Sequence, residues 1–212
     1  MPQFPIVPAK TAMLFFDTLN LYLHPEDAKA QEAIDKSGVI PRMQRINEAC
    51  RRAGIAVFYA QADHRPDYKD FAPHVVDLGY DGKPGQEPRL TTPPPVSVSG
   101  GAREVIPELA PQPGDYVIKK HRWSTFFETH FALSLRTAGI DTLILAGGAV
   151  EVGIASTAYA ARDWDLNQII LRDACTSGRP LVFDAFMNEI FPIFARVMTV
   201  DQAVAAINGD VP

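Results

Sequence analysis

Thr142-Leu143-Ile144-Leu145-Ala146, followed by Gly147-Gly148-Ala149 and then by Glu151 to Arg162, is the stretch whose reading decides the fold. The unbroken apolar run suits a strand covered on both faces, and the residues after the glycines have the length of a helical crossover. The same alternation runs outward in both directions. Toward the N-terminus lie apolar strands at Thr11 to Phe16, Ile55 to Ala60 and Tyr116 to Lys119; toward the C-terminus lie Gln168 to Leu171 and Val197 to Val200. Between them, Pro41 to Ala53 sets Met43, Ile46, Ala49 and Cys50 on one helical stripe, with Gly54 placed to cap it. Phe126 to Ala138, ending at Gly139, and Leu181 to Phe194 supply two further helices. The expected class is α/β: a doubly wound, mostly parallel sheet of about six strands flanked by helices on both faces. In that architecture ligands bind outside the carboxyl ends of the strands.

The 212 residues fit one domain, 1–212, with residues 63–114 as a Pro- and Gly-rich excursion. With 20 Lys and Arg against 25 Asp and Glu, the net charge is −5, and no stretch concentrates basic residues as a phosphate-tracking surface would. Nucleic acid is therefore not an expected partner. The two cysteines, Cys50 and Cys175, lie far apart and form no CxxC, which argues against a disulfide framework and a thiolate zinc site. No basic region precedes an apolar run at the N-terminus, and no apolar run approaches the ~18 residues of a membrane span. The expected setting is the cytoplasm, without membrane association.

Three strand ends carry residues able to do chemistry. Asp17 ends the first strand, Lys119 and Lys120 end the third, and Gly147, Gly148 and Ala149 end the fourth just before a helix. An acid beside a lysine is a mutually tuned pair, and a helix opening near Val150 would aim backbone N–H groups at developing negative charge. The residues alone leave a structural salt bridge and a catalytic pair as equal readings.

At these positions the sequence resembles the isochorismatase-like hydrolases, the superfamily that also contains nicotinamidases and other cysteine amidohydrolases. The likeness runs from about Thr11 to Val204 and is carried by Lys120-His121-Arg122-Trp123-Ser124-Thr125-Phe126-Phe127, by Leu143 to Ala149, by Ser156-Thr157-Ala158 and by Asp173-Ala174-Cys175. It implies the isochorismatase-like fold, a small-molecule substrate, no cofactor, no metal and a homo-oligomer. Carried over residue by residue, the family's catalytic Asp and Lys fall on Asp17 and Lys120. The nucleophilic Cys falls on Gly153. Neither Cys50 nor Cys175 is placed to replace it, so the usual thiolate acyl-enzyme route is closed.

Glycine at this position resembles the true isochorismatases, which hydrolyse a vinyl ether without a covalent nucleophile; there the Asp protonates the enol-pyruvyl carbon and water adds. Tyr59-Ala60-Gln61-Ala62 and the Phe126-Phe127 pair also look like that branch, whereas Leu19 and Glu151 stand where it carries Gln and His. The expected function is hydrolysis of a small carboxylated substrate with Asp17 as general acid. The alternatives are an amidohydrolase relative that binds its amide with little turnover, and a non-catalytic binding protein. Asn20, Tyr22, Gln61, Trp123, Phe126, Gly148, Ala149 and Glu151 are the expected substrate contacts.

Other readings stand beside these. Asp17 could cap a turn through Asn20, the aromatics could be core, and Glu151 could simply answer a helix dipole. Asp63-His64 and His74 invite a metal, although adjacent residues of an extended chain point apart. The resemblance further implies a cis peptide between Gly148 and Ala149 and ionic contact between Asp17 and Lys120 as ends of neighbouring strands. Gly153 is expected to leave open space, so that a methyl there would project toward substrate.

Overall fold

The computed structural model describes residues 5–65, 69–70 and 101–210. Most of the Pro- and Gly-rich excursion, with His74, lies outside the described residues. Its described end contains short 3-10 turns at Gly101–Arg103 and Pro107–Leu109.

Six parallel strands form one open sheet: β1 (Thr11–Phe16), β2 (Ala56–Ala62), β3 (Tyr116–Lys120), β4 (Thr142–Gly148), β5 (Asn167–Thr176) and β6 (Arg196–Met198). Their order is β3-β2-β1-β4-β5-β6, so the chain reverses its direction of travel between β1 and β4, where such sheets open a crevice for ligands. All six residues of β1 are buried, as the uninterrupted hydrophobicity requires of a central parallel strand. Alternation splits it between two cores: Met13 and Phe15 face one, Ala12, Leu14 and Phe16 the other.

The helices are α1 (Asn20–Leu23), α2 (Ala28–Ser37), α3 (Val39–Ala53), α4 (Phe131–Thr137), α5 (Ala155–Asp163), α6 (Pro180–Ala185) and α7 (Val200–Asn208). α3 buries the expected stripe of Met43, Ile46, Ala49 and Cys50, and ends at Gly54 with φ 74° in the left-handed region. It packs with α7 on one face of the sheet; α4, α5 and the segment after α6 supply the other core.

Several boundaries differ from the expected ones. The helix expected over Phe126 to Ala138 begins only at Phe131, because the preceding amides are taken by side-chain oxygens. The N–H of Thr125 donates to Thr157 Oγ1, that of Phe126 to Ser124 Oγ and that of Phe131 to Thr129 Oγ1. The helix after β4 opens as a π turn, Val150–Ile154. The stretch Leu181 to Phe194 breaks into α6, a π turn and a 3-10 turn that contains Pro192, which has no N–H to continue a ladder. β5 runs on through Thr176, so Cys175 lies within the strand rather than after it. β6 stops at Met198 because Thr199 and Gln202 form a capping box that starts α7.

Candidate active site

β1 ends at Phe16, and Asp17 turns out of the sheet with φ 48°, a left-handed conformation uncommon for a residue with a Cβ. Three hydrogen bonds hold it there. Its N–H donates to the carbonyl of Ala60 (2.9 Å), its Oδ1 accepts from the N–H of Ala62 (2.9 Å), and its Oδ2 accepts from Lys120 Nζ (2.8 Å). The ionic contact expected between Asp17 and Lys120 is present. The strands that carry them are not neighbours, however: β2 lies between, and Lys120 reaches over the end of β2, where it pairs in register with Ala62. Lys119 alternates to the exposed face and Lys120 to the buried one.

Only 10% of the Asp17 side chain and 5% of the Lys120 side chain are exposed. Burial therefore pushes the Asp17 carboxyl above the usual carboxylate range, against the opposing pull of the Lys120 charge and the hydrogen bonds from Lys120 and Ala62. The Lys120 ammonium also sits 4.3 Å from the centre of the Phe16 ring.

The pair faces a cavity of about 770 Å³ at the carboxyl end of the sheet, within the size range of small-molecule sites. Of the eleven residues expected to take part in catalysis or to contact substrate, Asp17, Lys120, Gly153, Tyr22, Trp123, Gly148 and Ala149 line it. The other four lie elsewhere. Asn20 Nδ2 donates to the Gly101 carbonyl (2.8 Å) and Gln61 Nε2 to the Arg103 carbonyl, so both tie the site's supports together. Phe126 packs against Phe131 and Trp164. Glu151 lies in the first turn after β4, with Oε2 buried and no hydrogen-bond partner among the described residues.

The cavity wall also contains Phe16, Thr18, His64, His121 and Arg122, and the segment Thr176 to Gly178. The last follows from the strand-end rule once β5 is given its full length. Phe16 read as core, because nothing in an apolar run marks its final residue as a wall. Gly147, at φ 120°, lets β4 pass so close to β1 that a Cβ would strike the Phe16 carbonyl; a Cβ on Gly148 would strike Thr176 Oγ1. The Gly148–Ala149 peptide is cis, as expected. The amides of Val152, Gly153 and Ile154 all donate to the Ala149 carbonyl (3.1 to 3.3 Å), so the turn spends on itself N–H groups that the sequence reading aims at a ligand.

Open space at Gly153 is corrected by the structure. A Cβ there would meet the edge of the Phe16 ring, not an empty part of the cavity. Asp63 accepts from Arg103 NH1 (3.1 Å) instead of joining His64. His64 and His121 of the cavity wall and Asp70 beside them bring their ligand atoms within 4.8 Å of one another, and form the cluster of three such side chains among the described residues with the spacing of a metal site.

Comparison with known proteins places this arrangement. The isochorismatase-domain family model matches residues 11–202. An isochorismatase family protein of Bacillus subtilis is 31% identical over 171 residues, covering 80% of this chain and 84% of its own length. The ureidoacrylate amidohydrolase of Pseudomonas syringae is 30% identical over 210 residues, covering 92% and 82%. Among solved structures, N-carbamoylsarcosine amidase of Thermoplasma acidophilum aligns with a TM-score of 0.66 at 26% identity, over 91% of this chain and 98% of that one. A cysteine hydrolase of Pseudomonas syringae aligns with a TM-score of 0.78 at 23% identity, over 98% and 97%, a likeness of fold.

Proposed function

Since the chain belongs to the isochorismatase family of hydrolases, we propose that it hydrolyses a small carboxylated substrate by proton and water chemistry, with Asp17 as general acid and no covalent enzyme intermediate. The observation that carries this reading is the pairing of an intact Asp17–Lys120 couple with a glycine, backed by the Phe16 ring, at the wall where the resemblance puts a thiol. The chain's two cysteines are both buried, and burial pushes each thiol up to about 12.

An enol-pyruvyl ether would be opened in three steps. The Asp17 carboxyl gives its proton to the terminal methylene carbon, leaving an oxocarbenium ion and a carboxylate that Lys120 stabilises. Water adds at the cationic carbon and returns a proton to Asp17. The hemiketal then expels the alcohol and leaves pyruvate. General acid catalysis of this kind is worth roughly 10²–10⁴-fold. The raised Asp17 pKa favours the protonated form such a step needs. Among the described residues that line the cavity, Lys120 and Arg122 offer positive charge to a substrate carboxylate, whereas burial pulls the His64 imidazole below the usual histidine range.

The amidohydrolase relatives favour a second reading, in which the cavity binds an amide and turns it over slowly. Incubating the purified protein with isochorismate and with a panel of small amides that includes ureidoacrylate and N-carbamoylsarcosine, with products identified by mass, separates the two. Pyruvate release from the vinyl ether supports the proposal. Amide cleavage at enzymic rates, with the ether untouched, overturns it.

A further inference from the structure

One wall beside Asp17 and Lys120 is made by a matched pair of residues. Gly153 lies in the turn after β4, and a methyl group on its Cα would come within 2.9 Å of Phe16 Cδ1 and nearer still to Cε1 and Cζ. The ring therefore already occupies the space into which a side chain at 153 would grow. Its backbone is fixed from both sides, since Phe16 pairs with Ala60 of β2 and Gly147 of β4, and the residue is 1% exposed. The Lys120 ammonium lies near the ring, at 4.3 Å from its centre, where an aromatic quadrupole attracts a cation. With its backbone held by two strands, the ring competes with any side chain at 153 for the same volume beside the cavity it lines.

We propose that Phe16 is the specificity-determining residue of this site: its ring fills the side-chain volume of residue 153 and braces the Lys120 ammonium against Asp17. It thereby confines the site to substrates opened by a proton and water, enol ethers among them, and excludes those that need an attacking side chain. The inference rests on the reading of Asp17 as acid and deepens it. Phe16 is a positioning residue, acting through the space it takes and the cation it holds.

A double-mutant cycle tests the pairing without any substrate. In Gly153→Ala the methyl should strike the ring and lower Tm by about 4–10 °C, as overpacking in a core does. In the Phe16→Val background the same methyl should enter vacated space and lower Tm by less than half as much. Phe16→Leu serves the same cycle if valine leaves too large a void to fold. Additive Tm changes would overturn the proposal.

Thiol chemistry supplies a readout that packing alone does not move. Cys50 and Cys175 are buried with thiols near 12, so a cysteine at 153 reports against a silent background. Iodoacetamide should modify Gly153→Cys slowly and Phe16→Val/Gly153→Cys about 10-fold faster at neutral pH. The midpoint in the double variant should fall below that of an ordinary thiol, because Lys120 favours the thiolate. Equal rates in the two proteins would show that the ring does not guard this position. Neither readout depends on turnover, so failure here leaves the acid role of Asp17 standing, and failure of that role leaves the coupling intact.

Discussion

At the scale of single residues, the site is two strand ends pressed together until glycine is the only residue that fits between them. Gly147 passes beneath the Phe16 carbonyl at φ 120°. Gly147→Ala should therefore combine a forbidden backbone conformation with a steric collision, lowering stability by about 2–4 kcal/mol and Tm by roughly 5–15 °C in a thermal melt. A loss under a degree would mean that the two strand ends are not held so closely. Asp17 and Lys120 were legible as polar residues at the ends of apolar runs. The residues alone left a structural salt bridge and a catalytic pair as equal readings, and the family resemblance carried by Lys120-His121-Arg122-Trp123 separated them. Phe16 was not legible. Its chemistry is that of any core aromatic, and its role as a wall depends on the close approach of β1 and β4, which no local pattern encodes. Gly153 was legible only as a missing thiol, and the ring that fills its side-chain space had to be seen.

Among the elements, the strands and the α3 stripe were read closely from apolar runs and helical spacing, whereas helix ends were read poorly where side-chain oxygens compete for backbone amides, as at Thr125 and Thr129. β5 was cut short at Leu171 because Arg172 and Asp173 interrupt its apolar run. The interruption has a local cause: Asp173 Oδ1 accepts from the Val200 N–H at the start of α7 (2.8 Å), and its other oxygen pairs with Arg42 of α3 (3.5 Å). The same helix start carries the capping box, in which Thr199 Oγ1 accepts from the Gln202 N–H and Gln202 Oε1 accepts from the Thr199 N–H. Thr199→Ala should cost about 1 kcal/mol, or roughly 2–4 °C in Tm, and leave turnover unchanged, because α7 packs on the face of the sheet away from α5. A change in kcat without a change in Tm would contradict that assignment.

Over the whole molecule, the order β3-β2-β1-β4-β5-β6 puts the cavity where the winding reverses, and among the described residues that line it the cations Lys120 and Arg122 outnumber the acid Asp17 despite a net charge of −5 for the chain. Raising ionic strength from about 0.02 to 0.2 M should screen that local field, raising KM severalfold for a carboxylated substrate while leaving kcat nearly unchanged. A KM indifferent to salt would argue for a neutral substrate. The central claim, that Asp17 delivers the proton, is tested most directly by the pH dependence of kcat for the wild type and Asp17→Asn on the substrate that the screen identifies. A general acid works only while protonated, so wild-type kcat should fall as pH rises through the Asp17 pKa, in a limb displaced above the usual carboxylate range by burial. Asp17→Asn, which keeps size and hydrogen bonding but has no transferable proton, should lose roughly 10²–10⁴-fold in kcat, with substrate affinity retained and that limb absent. Near-normal kcat in Asp17→Asn, with the alkaline limb still in place, would contradict the account.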